Sequence, residues 1–84
     1  MITVRFPAML QAAAGGAEVT VREPVASVRD LVAALDRLAP GLAAALDDPL
    51  YNVAVNDELL LHGAARRTLQ DGDVVEFVPT IAGG

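Results

Sequence analysis

The sequence contains no cysteine and no lysine, has one histidine, and shows no uninterrupted apolar run of membrane length. Without cysteine there is no disulfide framework, no thiol nucleophile and no thiolate metal site. His62 has no cluster of further ligand residues around it, so it reads as a loop residue and neither a metal site nor a catalytic residue is expected. All six cations are arginine, which leaves no side-chain amine on which copies of the chain could be joined to one another. No glycine-rich phosphate loop is present. The carboxylates of Asp47-Asp48 and Asp71-Gly72-Asp73 lack calcium-loop spacing and read as turns and solvated charge. The opening Met1-Ile2-Thr3-Val4-Arg5-Phe6 has no basic stretch leading into an apolar helix and no small-residue cleavage site, so no export signal is expected and a cytoplasmic location follows.

What is present is enough for one small domain. Eighty-four residues that are 54% hydrophobic can bury roughly 60–65% of the unfolded surface and form a core without staples. Six arginines against eleven acids give a net charge of −5, which disfavours nucleic acid and anionic membranes and suits a basic protein partner. Arg66-Arg67 is the one cationic pair and reads as part of a solvated loop.

Hydrophobic periodicity divides the chain. Ile2, Val4 and Phe6 alternate with Thr3 and Arg5, predicting a strand over Ile2 to Phe6. Pro7 and Gly15-Gly16 break the pattern, with a helical turn possible between them, and alternation resumes from Ala17 to Glu23. Ser27 is placed as an N-cap with Asp30 as a weak capping-box acid. Val28, Leu31, Val32, Leu35 and Leu38 then share one face of the single long helix, which Pro40-Gly41 stops. A short helix over Leu42 to Leu46 is followed by strands over Asn52 to Asn56, with Val53 and Val55 inward, Leu59 to Leu61, and Val74 to Val78. One long helix between the second and third strands can bury its stripe only against one face of a mixed sheet, which predicts an α+β, ubiquitin-like β-grasp of four to five strands packed on that helix.

Residues 1–78 are therefore expected to form the domain and 79–84 a flexible arm, Pro79-Thr80-Ile81-Ala82-Gly83-Gly84. Pro79, with fixed φ and no N–H, is expected to stop the strand before it. Six extended residues reach on the order of 20 Å, and two glycines without Cβ give a tip thin enough for a narrow channel and a sterically open carboxylate. That carboxylate, ionised at neutral pH, is a poor electrophile and needs activation by another enzyme. In the last strand Val75 and Phe77 face the helix, while Val74, Glu76 and Val78 face outward. Val78, Leu59, Leu61 and Pro7 are thus candidates for an apolar patch that docks partners.

The ordered set Val4-Arg5-Phe6, Val55-Asn56-Asp57-Glu58, Asp71-Gly72-Asp73 and the ending Pro79-Thr80-Ile81-Ala82-Gly83-Gly84 resembles the ubiquitin-like sulfur carriers of the MoaD/ThiS family. The resemblance implies that Gly84 is adenylated by a ubiquitin-activating-type enzyme (MoeB- or ThiF-like) using ATP, with no cofactor bound by the carrier. Sulfur from a donor such as a rhodanese or a cysteine desulfurase then gives a thiocarboxylate. It implies a co-substrate rather than an enzyme, although the chain could be the small subunit of a molybdopterin synthase-type complex. The acceptor is a cysteine synthase-like enzyme or the large subunit of molybdopterin synthase. Phe6-Pro7 with Gly15-Gly16, Val55-Asn56-Asp57-Glu58, the Leu59 to Gln70 link and Ile81-Ala82-Gly83-Gly84 look more like the CysO-type carrier of cysteine biosynthesis; the Phe6 strand, Asp71-Gly72-Asp73 and the Pro79 arm resemble the molybdopterin synthase subunit. Two other classes fit the same residues: a ubiquitin-like modifier joined through Gly84 to lysines of target proteins, and a non-covalent β-grasp interaction module.

Overall fold

A computed structural model describes residues 1–47 and 50–80. Strand β1 (Ile2–Arg5) puts Ile2 and Val4 into the core and Thr3 and Arg5 outward, the alternation its sequence carries. It pairs antiparallel with β2 (Glu18–Val21), Ile2 opposite Val21. The connection is helix α1 (Ala8–Ala14), which buries Leu10; Gly15 ends it in the left-handed region at φ 89° and donates its N–H to the Gln11 carbonyl. Both strands are shorter than their alternation suggests. Phe6 follows β1 but keeps a backbone bond to the Ala17 carbonyl, and Ala17 itself is exposed.

Helix α2 (Val28–Leu38) starts where Ser27 predicts: its hydroxyl accepts from the Asp30 N–H at 3.3 Å. The Asp30 carboxylate reaches back to the Ala26 N–H at 3.2 Å, one residue before the cap rather than to the cap itself. The buried stripe is Val28, Leu31, Ala34 and Leu35. Leu38, expected on that face, is exposed at the helix end, and Ala34, three residues after Leu31, takes up the inward position. Asp36 accepts from the N–H groups of Gly41 and Ala43 at 3.0 Å each, so a side chain of α2 caps the next helix, α3 (Leu42–Leu46).

Strands β3 (Tyr51–Val55), β4 (Glu58–Leu60) and β5 (Val74–Pro79) complete a five-stranded sheet in the order β2-β1-β5-β3-β4. The sheet is mixed: β5 runs parallel to β1 and antiparallel to β3. Central β5 drives Val75 and Phe77 into the core against α2 and α3, and the Phe77 ring stacks on Phe6 with centroids 5.7 Å apart. This is the β-grasp expected from element order. Among the described residues no polar or charged side chain is buried, and no helix is long and apolar enough to cross a membrane.

The end of the sheet where β1 and β5 begin is held by polar groups. Asn56 and Asp57 form the two-residue β3–β4 connection with φ 49° and 70°, the left-handed region that Asn and Asp tolerate best among residues with side chains. Asn56 donates from Nδ2 to Asp73 Oδ1 and accepts at Oδ1 from the Val74 N–H, both at 2.9 Å. The other Asp73 oxygen accepts from the Gln70 N–H at 2.8 Å. That bond, and then the Asn56 amide, hold the Asp73 carboxyl below its usual value of 3.8.

A folded-state pKa below the unfolded one means that Asp73 contributes stability above the ordinary carboxylate range and loses it as pH falls through the lowered value. Acid titration of the wild type should therefore show a loss of stability below about pH 4. In Asp73→Asn that component should be missing from the urea midpoint plotted against pH; an unchanged profile would rule the assignment out. Asn56→Ala removes both side-chain bonds and places alanine in a left-handed turn, at an expected cost of about 2 kcal/mol.

Candidate functional site

The opposite end of the sheet, where β5 finishes, is where the arm begins. Three features hold the last described residues in place. Val74 to Glu76 are paired with β1, and Tyr51 to Val55 pair with Val75 to Pro79. Beyond them the Thr80 N–H donates to the Leu50 carbonyl.

The strand ends at Pro79, one residue later than the expected Val74 to Val78: the proline is the last residue of β5, opposite Tyr51. Because Thr80 bonds to Leu50, the Tyr51–Pro79 pair is one whose backbone groups point away from each other. The proline nitrogen is therefore turned toward the side of β1, whose ladder with β5 ended at Glu76. No donor is needed there, so proline fits. Ile81, Ala82, Gly83 and Gly84 lie outside the described residues, as do Asp48 and Pro49.

By register and alternation the four patch candidates fall on the same face of the sheet, with β3 between Val78 and both Leu59 and Leu61. Register places Val78 beside Asn52, and Leu59 beside Ala54, which is itself opposite Glu76. Leu61 follows β4 on the same alternation as Leu59, and Pro7 follows β1 on the same alternation as Arg5, which lies beside Glu76. Leu59 is 48% exposed and Leu61 67%, whereas Val78 and Pro7 are half-buried. This face is turned away from α2, so these leucines are surplus to the core.

Two residues that sequence reasoning passed over join this end. Leu50 is 53% exposed and its carbonyl holds Thr80; Met9, on the outer side of α1, is 64% exposed. The available signal for Leu50 was a large apolar residue directly after the Asp47-Asp48-Pro49 turn, where a solvated residue is the ordinary choice.

The remaining candidates lie elsewhere. His62 is exposed in the link after β4. Arg66 ends a 3₁₀ turn (Ala64–Arg66), and Arg67 is half-buried with its Nη1 3.0 Å from Glu58 Oε1, more anchored than a solvated loop residue would be. Asp71 pairs with the Met1 amine, and Asp73 belongs to the Asn56 clamp, both at the far end of the sheet from Thr80. Among the described residues no three His, Cys, Asp or Glu side chains gather as a metal site.

The ThiS family model matches residues 4–84. A chain of the crystal structure of the Amycolatopsis orientalis BexX/CysO complex is 28% identical, covers 100% of both chains and superposes with a TM-score of 0.85. Mycobacterium tuberculosis CysO, described as an antigen, is 26% identical over 94% of this chain and 98% of its own, with a TM-score of 0.82. The Pyrococcus furiosus protein designated molybdopterin converting factor, subunit 1, is 27% identical over 93% of this chain and 94% of its own, with a TM-score of 0.74. No curated protein sequence matches. With a family match running from the first strand through the final glycine, on a β-grasp shared with these structures, the chain belongs to the ThiS family of ubiquitin-like sulfur carriers, small proteins that enter sulfur transfer as co-substrates rather than as enzymes.

Proposed function

We propose that Gly84 carries the transferred sulfur as a C-terminal thiocarboxylate and that the acceptor pathway is cysteine biosynthesis. The observation that carries this reading is the family match extending through residue 84, together with full-length similarity to a chain of the BexX/CysO complex. The pathway choice is supported by TM-scores of 0.85 and 0.82 to the two CysO structures against 0.74 to the molybdopterin converting factor subunit. Sulfur supply to molybdopterin is the second reading, because the 27% identity to that subunit falls between the 28% and 26% of the other two structures.

The chemistry divides between the arm and its partners. A carboxylate oxygen of Gly84 attacks the α-phosphorus of ATP held by a MoeB- or ThiF-like activating enzyme; pyrophosphate leaves, and the product is an acyl adenylate. The terminal sulfur of a persulfide on a rhodanese or cysteine desulfurase attacks that carbonyl and AMP departs. A second thiol then cleaves the acyl disulfide, leaving the thiocarboxylate on Gly84 and a disulfide on the donor side. The carrier supplies no acid, base or metal, and a cytoplasmic location is part of this proposal because the reaction needs ATP and reducing thiols.

Incubation with activating enzyme, ATP and a persulfide donor followed by intact mass measurement tests the reading. Replacement of one oxygen by sulfur is the expected result. Branched adducts on lysines of other proteins would point to a modifier instead, and an unchanged mass would point to a passive β-grasp module.

Docking is assigned to Val78, Leu59, Leu61 and Pro7 around the base of the arm. Val78→Asp introduces a charge at a half-buried position and should weaken binding to the activating enzyme about tenfold or more while the far-ultraviolet circular dichroism spectrum stays native. Loss of the folded spectrum would show that Val78 is core.

A further inference from the structure

The two edges of the sheet are not alike. At one edge β2 carries the exposed Glu18 and Thr20, whereas at the other β4 and the residues around it read Leu59-Leu60-Leu61 between Glu58 and His62. Edge strands are ordinarily blunted by charge, proline or a covering segment, and three consecutive leucines supply none of these. The ladders fix where the backbone groups of β4 point. Tyr51 and Pro79 form a pair without hydrogen bonds, so Asn52 and Ala54 turn their groups to β5, and Val53 and Val55 turn theirs to β4. Leu60 and Glu58, opposite Val53 and Val55, are thereby bonded inward, which leaves the N–H and C=O of Leu59, and by the same alternation those of Leu61, pointing out of the edge. Neither residue makes a backbone bond outside the ladders among the described residues.

We propose that β4 pairs antiparallel with β4 of a second copy about a two-fold axis at Leu60, joining the two sheets into one. In this register Leu59 lies opposite Leu61 of the second copy, and the two exchange the bonds that each has free. Their side chains, 48% and 67% exposed in the single copy, cover each other. Glu58 falls opposite His62 of the second copy; Arg67 holds its Oε1, so Oε2 is left to accept from an imidazole N–H. A register centred on Leu59 would instead set Leu61 against Asp57 and Leu60 against Glu58, leaving two leucines facing acids. The segment Glu58-Leu59-Leu60-Leu61-His62 is thus complementary to itself in one register. The pairing covers Leu59 and Leu61, so a second copy and the activating enzyme exclude each other; that consequence alone rests on the docking assignment above.

Sedimentation of the full chain at about 0.15 M salt, where charges more than about 8 Å apart are largely screened, should move from the monomer mass toward twice that mass as protein concentration rises. Leu59→Lys and Leu61→Lys, both at exposed positions, should each raise the dissociation constant about tenfold or more. Disulfide exchange reads the register, because the chain has no cysteine of its own. Leu59→Cys mixed with Leu61→Cys in a glutathione buffer should give the mixed disulfide in large excess over either symmetric one. Directly opposed bonded residues have Cα atoms about 5.5 Å apart, whereas Leu59 and its own copy are diagonal neighbours at roughly 7–8 Å, beyond the range a disulfide bridges. A statistical mixture of the three disulfides, lysine variants that associate like the wild type, or a chain that stays monomeric at every concentration would each overturn the proposal. A monomeric chain that still gained sulfur mass would keep the carrier reading and remove the second-copy contact alone.

Discussion

Deletion of Gly84 should abolish the sulfur-for-oxygen mass change while leaving the urea midpoint of the domain unaltered. The reacting carbonyl is then one residue, roughly 3.5 Å, short of its place. A displacement of about 1 Å from a reactive geometry already costs on the order of 100-fold, so adenylation should fall below detection. The urea midpoint should hold because, among the described residues, the strand ladders end at Pro79 and the buried cluster ends at Phe77. Gly83→Val tests the same geometry differently: it retains the terminal carboxylate but adds a branched side chain where the arm must pass closely between walls. Its mass change should also be lost or slowed about 100-fold or more. If the truncated chain still acquired sulfur, Gly84 would not be the carrier residue and the proposed chemistry would be wrong.

The largest effect on stability is expected from Phe77→Ala. Phe77 sits in the middle of the central strand, 2% exposed, with its ring stacked on Phe6 and its backbone opposite Val53. Truncating a buried phenylalanine costs about 3–5 kcal/mol through lost transfer energy and the cavity left behind. A domain of this length has roughly 4–13 kcal/mol in total. The substitution should therefore remove a large share of the folding free energy and leave a substantial unfolded fraction at physiological temperature. Glu76→Ala, one residue away and facing solvent, should stay within about 0.5 kcal/mol of wild type. Urea midpoints of the two variants make the comparison, and a small shift for Phe77→Ala would mean that the core closes without that ring.

The two ends of the sheet differ in chemistry. Asn56, Asp73 and the bonds around them tie together the starts of β1 and β5, where polar groups satisfy strained turns. The other end carries the exposed Leu50 and the last described residues, Pro79 and Thr80. β5 connects them. Its last bond, from the Thr80 N–H to the Leu50 carbonyl, fixes the point from which residues 81–84 continue.

Local chemistry was enough for much of this. Alternation in Ile2-Thr3-Val4 and Val74-Val75-Glu76-Phe77, the Ser27 cap and the apolar stripe from Val28 to Leu35 state their own secondary structure, because periodicity and capping act over a few residues. The ordered motifs likewise pointed to a sulfur carrier of the family that the comparison bears out, since that likeness lies in the residues themselves. Partners distant in the sequence were another matter. That Asn56 bonds Asp73 across 17 positions, that Leu38 stays in solvent, that Pro79 belongs to the strand because its nitrogen faces a side where the ladder has already ended, and that Leu50 and Tyr51 flank the start of the arm all depend on which strands become neighbours. Neighbour choice is settled by burying one shared apolar face, a property of the whole sheet that no short window of residues contains.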